Sequence, residues 1–362
     1  MYRILKVFLL LVISLVFSNF SFAQMANVEE FMRSGLEDAS ILIKEYLAPF
    51  GKGFGADLNN GWYNTARPHK FLGLDITVTA SAAISPTSDA TFNLSQLELK
   101  NLRLTDPNDA ITPTVVGDDE PGPDLDLVLN NPVTGKEELI GTITMPQGIG
   151  FRYVPSPMIQ ASVGLIANTD VMIRFFPEIE INKDIGSLRL LGLGIKHGLN
   201  QWLPDGGMLP FDLSVMAGYT LFQAQSKDLD LEPDPEAIPT GNTYNNQEVE
   251  VEAKSFTVNL LISKKFAIFT FFGGVGIETS NLDLKLKGTY PITVFDDDQT
   301  SPTFGQKVIE DLEDPVKISV EGANSQRATV GLSLQLLFLT IHGSYTFSKY
   351  PVATAGVGLS IR

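Results

Sequence analysis

The end of the chain carries its clearest pattern of hydrophobic and polar positions. From Arg327 to Arg362, apolar residues alternate with small or polar ones in three runs, and Val357, Leu359 and Ile361 hold apolar positions of the last run. A period of two predicts strands with two unlike faces. Strands of about ten residues, apolar outside and polar inside, are typical of transmembrane β-barrels. A soluble β-sandwich would also alternate, but its turns are usually polar, whereas the link at 336–338 is apolar.

The start of the chain has the pattern of an export signal. Arg3 and Lys6 precede an apolar run at 8–17, and small residues at 21 and 23 form a cleavage site. Residues 1–23 are therefore predicted to be a signal peptide. The alternative is a retained membrane anchor, for which the apolar run is short. An exported chain of such strands is predicted to lie in the cell outer membrane, with lipid around it.

The stretch Asn27 to Phe50 is predicted to be an amphipathic helix, because apolar residues recur at helical spacing along one side. Pro49 and Gly51 are predicted to end it. The following residues to Lys70 form a loop rich in glycine, asparagine and large side chains. Residues 24–70 are predicted to be an N-terminal helix and plug loop. The helix needs an apolar partner, which is the barrel lumen, its periplasmic rim or another protein.

Residues 71–362 are predicted to form the barrel itself. Long polar loops at 105–136, 229–246 and 289–314 alternate with short links, including tight turns at 167–170 and 263–265. One end with short turns and one with long loops is the arrangement of outer-membrane barrels. The predicted fold is an all-β antiparallel transmembrane β-barrel of about twelve strands, within a range of ten to fourteen. Besides the last three runs, strands are predicted at 71–81, 92–104, from 139 onward, and at 158–164, 170–181, 188–199, 211–225, 249–262 and 266–286.

Composition narrows the function classes. The chain has no cysteine, which rules out disulfides, thiolate metal sites and cysteine nucleophiles. Its formal net charge of −16 argues against nucleic acid as a partner. The acidic residues cluster in the predicted loops, which indicates solvated loops. Loop calcium is the alternative, but none of the acidic runs has the spacing of a calcium-binding loop.

The sequence motifs give little support to an enzymatic function. The chain lacks a Gly-x-Ser-x-Gly elbow and a phosphate-binding glycine loop. His342 and Ser344 share one face of a strand, but alternation places that face in the lumen, where a lipase acting on the bilayer would not work. The three histidines are far apart in sequence and form no metal motif. The sequence predicts a non-enzyme without cofactor or metal.

Two stretches resemble a known family. Residues 59–73, with Trp62-Tyr63-Asn64 and Arg67-Pro68-His69, and residues 195–204 around His197 resemble an uncharacterised family of Bacteroidota envelope proteins. That family is distantly similar to FadL-type outer-membrane transporters of long-chain fatty acids and aromatic hydrocarbons. In that group an N-terminal helical hatch blocks a monomeric barrel. The resemblance implies the same plan here, but no ligand residue matches position by position.

The candidate ligand-binding residues lie in the plug and the predicted lumen. Aromatic plug residues could line an apolar pocket, or could simply anchor the plug or join an interfacial aromatic belt. Inward-pointing basic residues could form a salt-bridge network with Asp75 and similar acids, or a site for an anionic head group. The six candidates are Trp62, Tyr63, Arg67, His69, Arg174 and His197. The basic residues considered for the lumen are Arg152, Arg174, Arg189, Lys196, His197 and Arg327.

These observations favour passive uptake of a small hydrophobic or amphipathic molecule by a monomer. Capture near the outer loops would be followed by release past a plug that shifts. The alternative is an envelope scaffold or secretion-associated binding protein, anchored by its barrel and docking a partner protein through the helix or the acidic loops.

Overall fold

The computed structural model describes residues 36–182, 186–203, 209–226 and 231–361. The predicted signal peptide and the predicted helix start at Asn27 lie outside these ranges. The helix α1 spans Leu36–Leu58. It therefore continues well past Pro49, where the sequence predicted its end. Among the described residues, no helix is both long and apolar enough to cross a bilayer.

Strands make up most of the remaining chain, joined in places by single turns of 3₁₀-helix. The strands are β1 (Leu74–Ile84), β2 (Thr91–Asn93), β3 (Leu102–Leu104), β4 (Ile111–Pro113), β5 (Asp124–Asn131), β6 (Lys136–Thr144), β7 (Tyr153–Leu165), β8 (Thr169–Asn182), β9 (Gly186–Gly198), β10 (Asp212–Ser226), β11 (Glu248–Phe266), β12 (Phe269–Lys287), β13 (Thr289–Phe295), β14 (Lys307–Glu313), β15 (Val316–Glu321), β16 (Ser325–Leu336), β17 (Leu339–Phe347) and β18 (Val352–Ile361).

Ten of these strands close into one antiparallel barrel. The order around the barrel is β1, β7, β8, β9, β10, β11, β12, β16, β17, β18 and back to β1. An eleventh strand, β15, pairs only with the far part of β12 and lies outside the ring. The predicted barrel is confirmed, and its strand number is ten rather than about twelve. The predicted strands at 92–104 and near 139 belong to small sheets outside the barrel.

The two faces of the wall follow the predicted alternation. On β1 the inward Asp75, Thr77 and Thr79 are buried, whereas the outward Leu74 and Ile76 are about half exposed. The same pattern runs through β16, β17 and β18, as the end of the chain predicted. The barrel therefore has an aliphatic exterior, and the half of its lumen nearest the short turns is lined by small and polar side chains.

The two ends of the barrel differ. At the short-turn end, β1 begins, β18 ends, and tight turns at Ala167–Asn168, Ala267 and Leu337 adopt positive φ angles. The turn predicted at 167–170 is confirmed. The turn predicted at 263–265 is wrong: β11 and β12 stay paired to Phe266–Phe269, so those residues are in a strand.

At the opposite, long-loop end, the predicted loops contain structure of their own. The segment between β1 and β7 folds into the pair β2–β4 and the three-stranded sheet β3-β5-β6. The segment after β12 folds into the hairpin β13–β14. These elements form a cap over the barrel, together with the first half of α1, where Asp38 accepts hydrogen bonds from the backbone of residues 100–102.

Residues 36–70, here called the plug, run from this cap through the lumen to the short-turn end. A Cβ on Gly53 would lie 3.6 Å from the Cβ of Ala83 on β1, so α1 packs closely against the wall. The chain then leaves the helix at Leu58 and reaches the other end, where the N–H of Leu72 donates to the carbonyl of Gly164. Gly51, which was predicted to end the helix, and Gly53 instead allow close approach between the helix and the surrounding strands.

Candidate functional site

Arg174 stands at the centre of the lumen. It is fully buried, and its guanidinium donates to the carbonyl oxygens of Leu58, at 2.9 Å, and of Asn60. Its Nε donates to Oε1 of Gln160 at 3.1 Å, and its Cζ lies 3.7 Å from the ring centroid of Trp62. One wall residue therefore holds the end of α1 and the loop that follows it.

Arg327 on β16 holds the same part of the plug from the other side. It donates to the carbonyl of Asn59 at 2.8 Å and to Oδ1 of Asn60. The carbonyls at a helix C-terminus lack partners within the helix and carry its negative dipole end, so cations are favoured there. Arg174 and Arg327 together are called the arginine clamp.

The two arginines differ in how their charge is balanced. Arg327 forms an ion pair with Glu278 at 3.2 Å, and both side chains are buried. Arg174 forms no ion pair with any carboxylate in the described part of the chain. Its partners are two carbonyls, an amide, the sulfur of Met158 and an aromatic face. A buried charge without a counter-ion is costly, so Arg174 is an unusual feature of this lumen.

Trp62 lies on a shelf made by glycines of two neighbouring strands. A Cβ on Gly194 would lie 2.7 Å from Cζ3 of Trp62, and a Cβ on Gly218 would lie 2.6 Å from its Cε2. Gly194 and Gly218 are paired across β9 and β10. The indole therefore fits only because neither strand carries a side chain at this level.

A buried ion network ties the plug to the short-turn half of the wall. Asp170 accepts hydrogen bonds from the backbone N–H of His69 at 2.8 Å, contacts Nδ1 of His69 at 3.0 Å, and pairs with Lys196 at 3.0 Å. All three side chains are buried. The predicted salt-bridge network exists, but Asp170 and Glu278 supply its acids instead of Asp75.

A polar cavity of about 20 Å³ lies beside this network. Its lining includes Trp62, His69, Asp75 and His342. Oδ2 of Asp75, Nε2 of His69 and Nδ1 of His342 are buried there without a hydrogen-bond partner among the described residues. The volume suits one water molecule, which needs such polar partners.

The wall is not hydrogen-bonded throughout. β7 and β8 pair from the turn only as far as Gln160 and Arg174. Beyond that point β7 continues beside β1, and β8 beside β9, without pairing with each other. Pro155 and Pro157 lie in this stretch, and proline has no N–H to donate to a neighbouring strand. The stretch between residues 153–159 and 175–182 is called the seam.

An apolar cavity of about 30 Å³ lies at the seam. Apart from Ser156, its lining is hydrophobic. It reaches from the plug to the wall, since Phe54 belongs to α1. The other hydrophobic lining residues include Pro155, Pro157, Phe176, Leu190 and Phe222.

The structure brings four of the six predicted site residues together in the lumen: Trp62, Tyr63, His69 and Arg174. Tyr63 packs edge-on against Phe272, with ring centroids 6.1 Å apart.

Arg67 lies at the short-turn end, more than half exposed, and pairs with Asp212 at 3.0 Å. His197 is also outside the lumen, where it bonds to Thr169 at 2.8 Å and to Trp202 at 2.9 Å.

The basic residues considered for the lumen separate in the same way. Arg174, Lys196 and Arg327 are buried inside the barrel. Arg189 points outward, and Arg152 bonds to Ser85 and Thr87 near the cap.

Sequence reasoning missed Gln160, Asn60, Glu278 and Phe54. Alternating prolines at 155 and 157 were a readable signal for the seam. The described residues contain no cluster of histidine and carboxylate side chains that could hold a metal ion.

These features define a class: a closed antiparallel barrel whose lumen is filled by the segment that precedes its first strand. A family model matches residues 1–361, and the chain belongs to the family of unknown function DUF6588. No curated protein matches the chain.

Several solved outer-membrane barrels are similar at a low level. The copper transporter OprC is 11% identical with a TM-score of 0.26, over 78% of this chain and 38% of that one, so the chain spans well under half of OprC. The translocator domain of autotransporter NalP from Neisseria meningitidis is 11% identical with a TM-score of 0.26, over 81% and 90%. A mutant of the monoaromatic hydrocarbon channel TodX is 7% identical with a TM-score of 0.22, over 81% and 91%. At such scores the similarities carry no argument about mechanism or substrate.

Proposed function

We propose that this protein is an outer-membrane barrel that passively takes up a small hydrophobic or amphipathic molecule. The observation that carries the proposal is the seam with its apolar cavity. The exterior of the wall is aliphatic, so it suits contact with lipid tails. At the seam, a molecule dissolved in the bilayer can pass between two strands without breaking a ladder of hydrogen bonds.

The filled lumen supports a selective route over a general pore. Leu58, Trp62 and Ala66 are buried along the axis of the barrel, so the plug occupies the space that a porin keeps open. A molecule that enters the seam meets Phe54 of α1 first. Uptake therefore requires the plug to shift away from the wall.

A disulfide that fixes the plug tests this requirement. The chain has no cysteine, so engineered pairs have no background. Residues 53 and 83 have the right separation, since a Cβ on Gly53 would lie 3.6 Å from that of Ala83, within the usual disulfide range. In Gram-negative cells producing the Gly53→Cys/Ala83→Cys variant, we expect oxidation to reduce entry of the apolar dye N-phenyl-1-naphthylamine several-fold. A small neutral reductant should restore entry.

Each single-cysteine variant and a Val294→Cys/Val308→Cys pair in the β13–β14 hairpin serve as controls. The hairpin pair forms a cross-strand link outside the barrel. It should leave dye entry unchanged under oxidation. Equal dye entry in the oxidised and reduced plug variant would contradict the proposed function.

One observation supports the alternative function, a scaffold role. Ile111 on β4 and Leu139 on β6 are both more than half exposed on the cap. The helix offers less exposed apolar surface for a partner, because Leu42, Ile43 and Tyr46 are buried within this chain. If a defined envelope protein co-purifies with the barrel and is lost in an Ile111→Ser/Leu139→Ser variant that still takes up the dye, the cap is its docking surface.

A further inference from the structure

A cavity of about 340 Å³ lies on the outer face of the barrel wall, towards the long-loop end. It is far larger than the cavities of the lumen and falls within the range of about 300–1,000 Å³ that is usual for small-ligand sites. Its side chains hold outward positions, which alternate with buried, inward residues such as Leu190 and Ala253. The strand register arranges them in two rows across β9, β10, β11 and β12: Arg189, Gln223, Glu252 and Asp283 in one, and Ser187, Gln225, Glu250 and Lys285 in the other.

A chain of hydrogen bonds fixes the first of these rows. Nε of Arg189 donates to Oε1 of Gln223 at 2.6 Å, and the amide of Gln223 donates to Glu252 at 2.7 Å. Glu252 is also paired with Lys254 on the same strand. Nε is the only nitrogen of the Arg189 guanidinium that bonds to a described residue. The row therefore positions Arg189 and leaves its two terminal nitrogens free for a ligand.

The charges that line the cavity are separated. The acids lie on β11 and β12, where Glu250 is paired in register with Lys285. Arg189 lies on β9, two strands and thus about 10 Å from the nearest of these acids. A guanidinium with free terminal nitrogens suits a phosphate, whereas carboxylates accept hydrogen bonds from hydroxyl groups. The cavity therefore offers a place for one phosphate at one side and for several hydroxyl groups at the other.

The level of the cavity coincides with one edge of the aliphatic exterior. On β10 the outward positions from Leu213 to Leu221 are apolar or aromatic, and Gln223 is the next outward residue. At about 3.4 Å per residue and a strand tilt of about 40°, this run covers about 21 Å along the barrel axis, close to the apolar band of about 25 Å in outer-membrane barrels. Leu191 and Phe256 are exposed at the same edge on β9 and β11. A polar head group in the cavity would thus have its acyl chains against the aliphatic wall.

We propose that this cavity binds the head group of a glycolipid, with a sugar phosphate in the cavity and the acyl chains along the wall. The phosphate accepts hydrogen bonds from Arg189, and the sugar hydroxyls donate to Glu250, Glu252 and Asp283. The lipid belongs to the outer leaflet, because the long loops of outer-membrane barrels face the outside of the cell. This inference rests on the membrane location in the proposed function. It depends on neither the seam nor the plug, because the ligand stays outside the lumen.

Lipids with different head groups test the sugar phosphate directly. The full chain is purified in a polyoxyethylene detergent, which has no sugar, and bound lipids are counted by native mass spectrometry. The probes are lipid A, which is a phosphorylated disaccharide lipid, its dephosphorylated form, and phosphatidic acid, which has a phosphate but no sugar. We expect lipid A to bind at least about tenfold more tightly than its dephosphorylated form, because a hydrogen bond to a charged group contributes about 1.5–3 kcal/mol. Phosphatidic acid should also bind more weakly than lipid A.

Variants of the wall locate the phosphate. Arg189→Gln should bind lipid A and its dephosphorylated form equally, and Arg189→Lys should keep part of the difference. The matched control is Lys264→Gln, because Lys264 is also an exposed cation of the wall but lies at the short-turn end of β11. This control should keep the full preference for lipid A.

The outcomes separate the inference from the function on which it rests. Equal binding of lipid A and its dephosphorylated form to the unmodified protein would overturn the inference and leave uptake through the seam intact. An unchanged preference in Arg189→Gln would overturn the assignment of the phosphate to Arg189. Displacement of lipid A by an equal concentration of glucosamine 1-phosphate would overturn the lipid in favour of a soluble sugar phosphate.

A further result would overturn the proposed function as well. If the mature protein stays folded and monomeric in buffer without detergent, its aliphatic exterior is not a lipid contact, and the proposed function and the inference fail together. The comparison of lipids on the unmodified protein decides even if Arg189→Gln does not fold.

Discussion

Trp62 occupies a place that two neighbouring strands keep free by carrying glycine. Replacing Gly218 with valine puts side-chain atoms where the indole now lies. Overpacking of this kind typically costs about 1–3 kcal/mol. We expect Gly218→Val to lower the free energy of unfolding by that amount in urea titrations in lipid vesicles. The control is Gly343→Val on β17, where the nearest atom to an added Cβ is 3.8 Å away. Equal losses in the two variants would contradict a specific role for the shelf.

Two contacts between a basic side chain and an aspartate hold the plug at the short-turn end, and their burial differs. Asp170 is buried and serves both His69 and Lys196, whereas the pair between Arg67 and Asp212 is partly exposed. Breaking a buried pair strands the remaining charge, at a cost of about 3–5 kcal/mol. Exposed pairs contribute about 1 kcal/mol or less. We therefore expect Asp170→Asn to lower the unfolding midpoint far more than Asp212→Asn, and comparable shifts would count against the buried network as the main tether.

The side to which each residue points was only partly predictable from the sequence. Lys196 and His197 were both considered for the lumen, but adjacent residues of a regular strand face opposite sides. The structure places Lys196 inside and His197 outside. The alternation of inward and outward residues along β9 would have been enough to place Lys196 and His197 on opposite sides of the wall. The pairing of Asp170 with His69 was not predictable, because it joins residues 101 positions apart that only the closed barrel brings together.

At the scale of elements, the seam depends on two prolines in β7. Pro155→Val and Pro157→Val together restore two N–H groups beside β8, each able to add about 1 kcal/mol through a hydrogen bond. We expect the double variant to be at least as stable as the natural protein in urea titrations and to take up N-phenyl-1-naphthylamine several-fold more slowly. Pro291→Val, in a strand outside the barrel, is the control and should leave uptake unchanged. Undiminished dye entry in a stable double variant would remove the seam from the route.

Elements with strict alternation were predictable, and irregular ones were not. The last strand was predictable from the regular alternation of Val357, Leu359 and Ile361 with small or polar residues. No other local pattern in that stretch competes with this alternation. The end of the helix was predicted too early because Pro49 and Gly51 normally end a helix. In the folded chain, Gly51 packs against Val320 of β15 and Gly53 packs against Val154 of β7, and these contacts stabilise the helix from outside. Tertiary packing thus overrode the local signal.

At the scale of the whole molecule, the sequence supported the closed barrel, its two unlike ends and a structured segment before β1. The strand number was harder to predict, because long strands and cap strands have the same alternation. β11 and β12 run for 19 residues each and continue beyond the ring into the cap. The same period of two therefore occurs in the wall of the barrel and outside it. Only the pairing pattern shows that ten strands close.

Removing the plug tests the architecture as a whole. If the predicted signal peptide is joined directly to Phe71, the wall keeps every strand of the ring and loses the segment that fills it. We expect planar-bilayer recordings to show little conductance for the full chain and a steady open conductance for the shortened one. The lumen of the shortened barrel should discriminate weakly between anions and cations, because the buried charges of the described wall residues balance. The acids are Asp75, Asp170 and Glu278, and the bases are Arg174, Lys196 and Arg327.

The recording requires that the shortened barrel is folded. This is checked by its heat-dependent mobility in detergent electrophoresis. A variant that keeps the full chain but carries Asp212→Asn should stay closed, because the buried network and the arginine clamp still hold the plug. Should the full chain conduct as freely as the shortened one, the plug would not close the lumen. The requirement for a plug shift would then lose its structural basis.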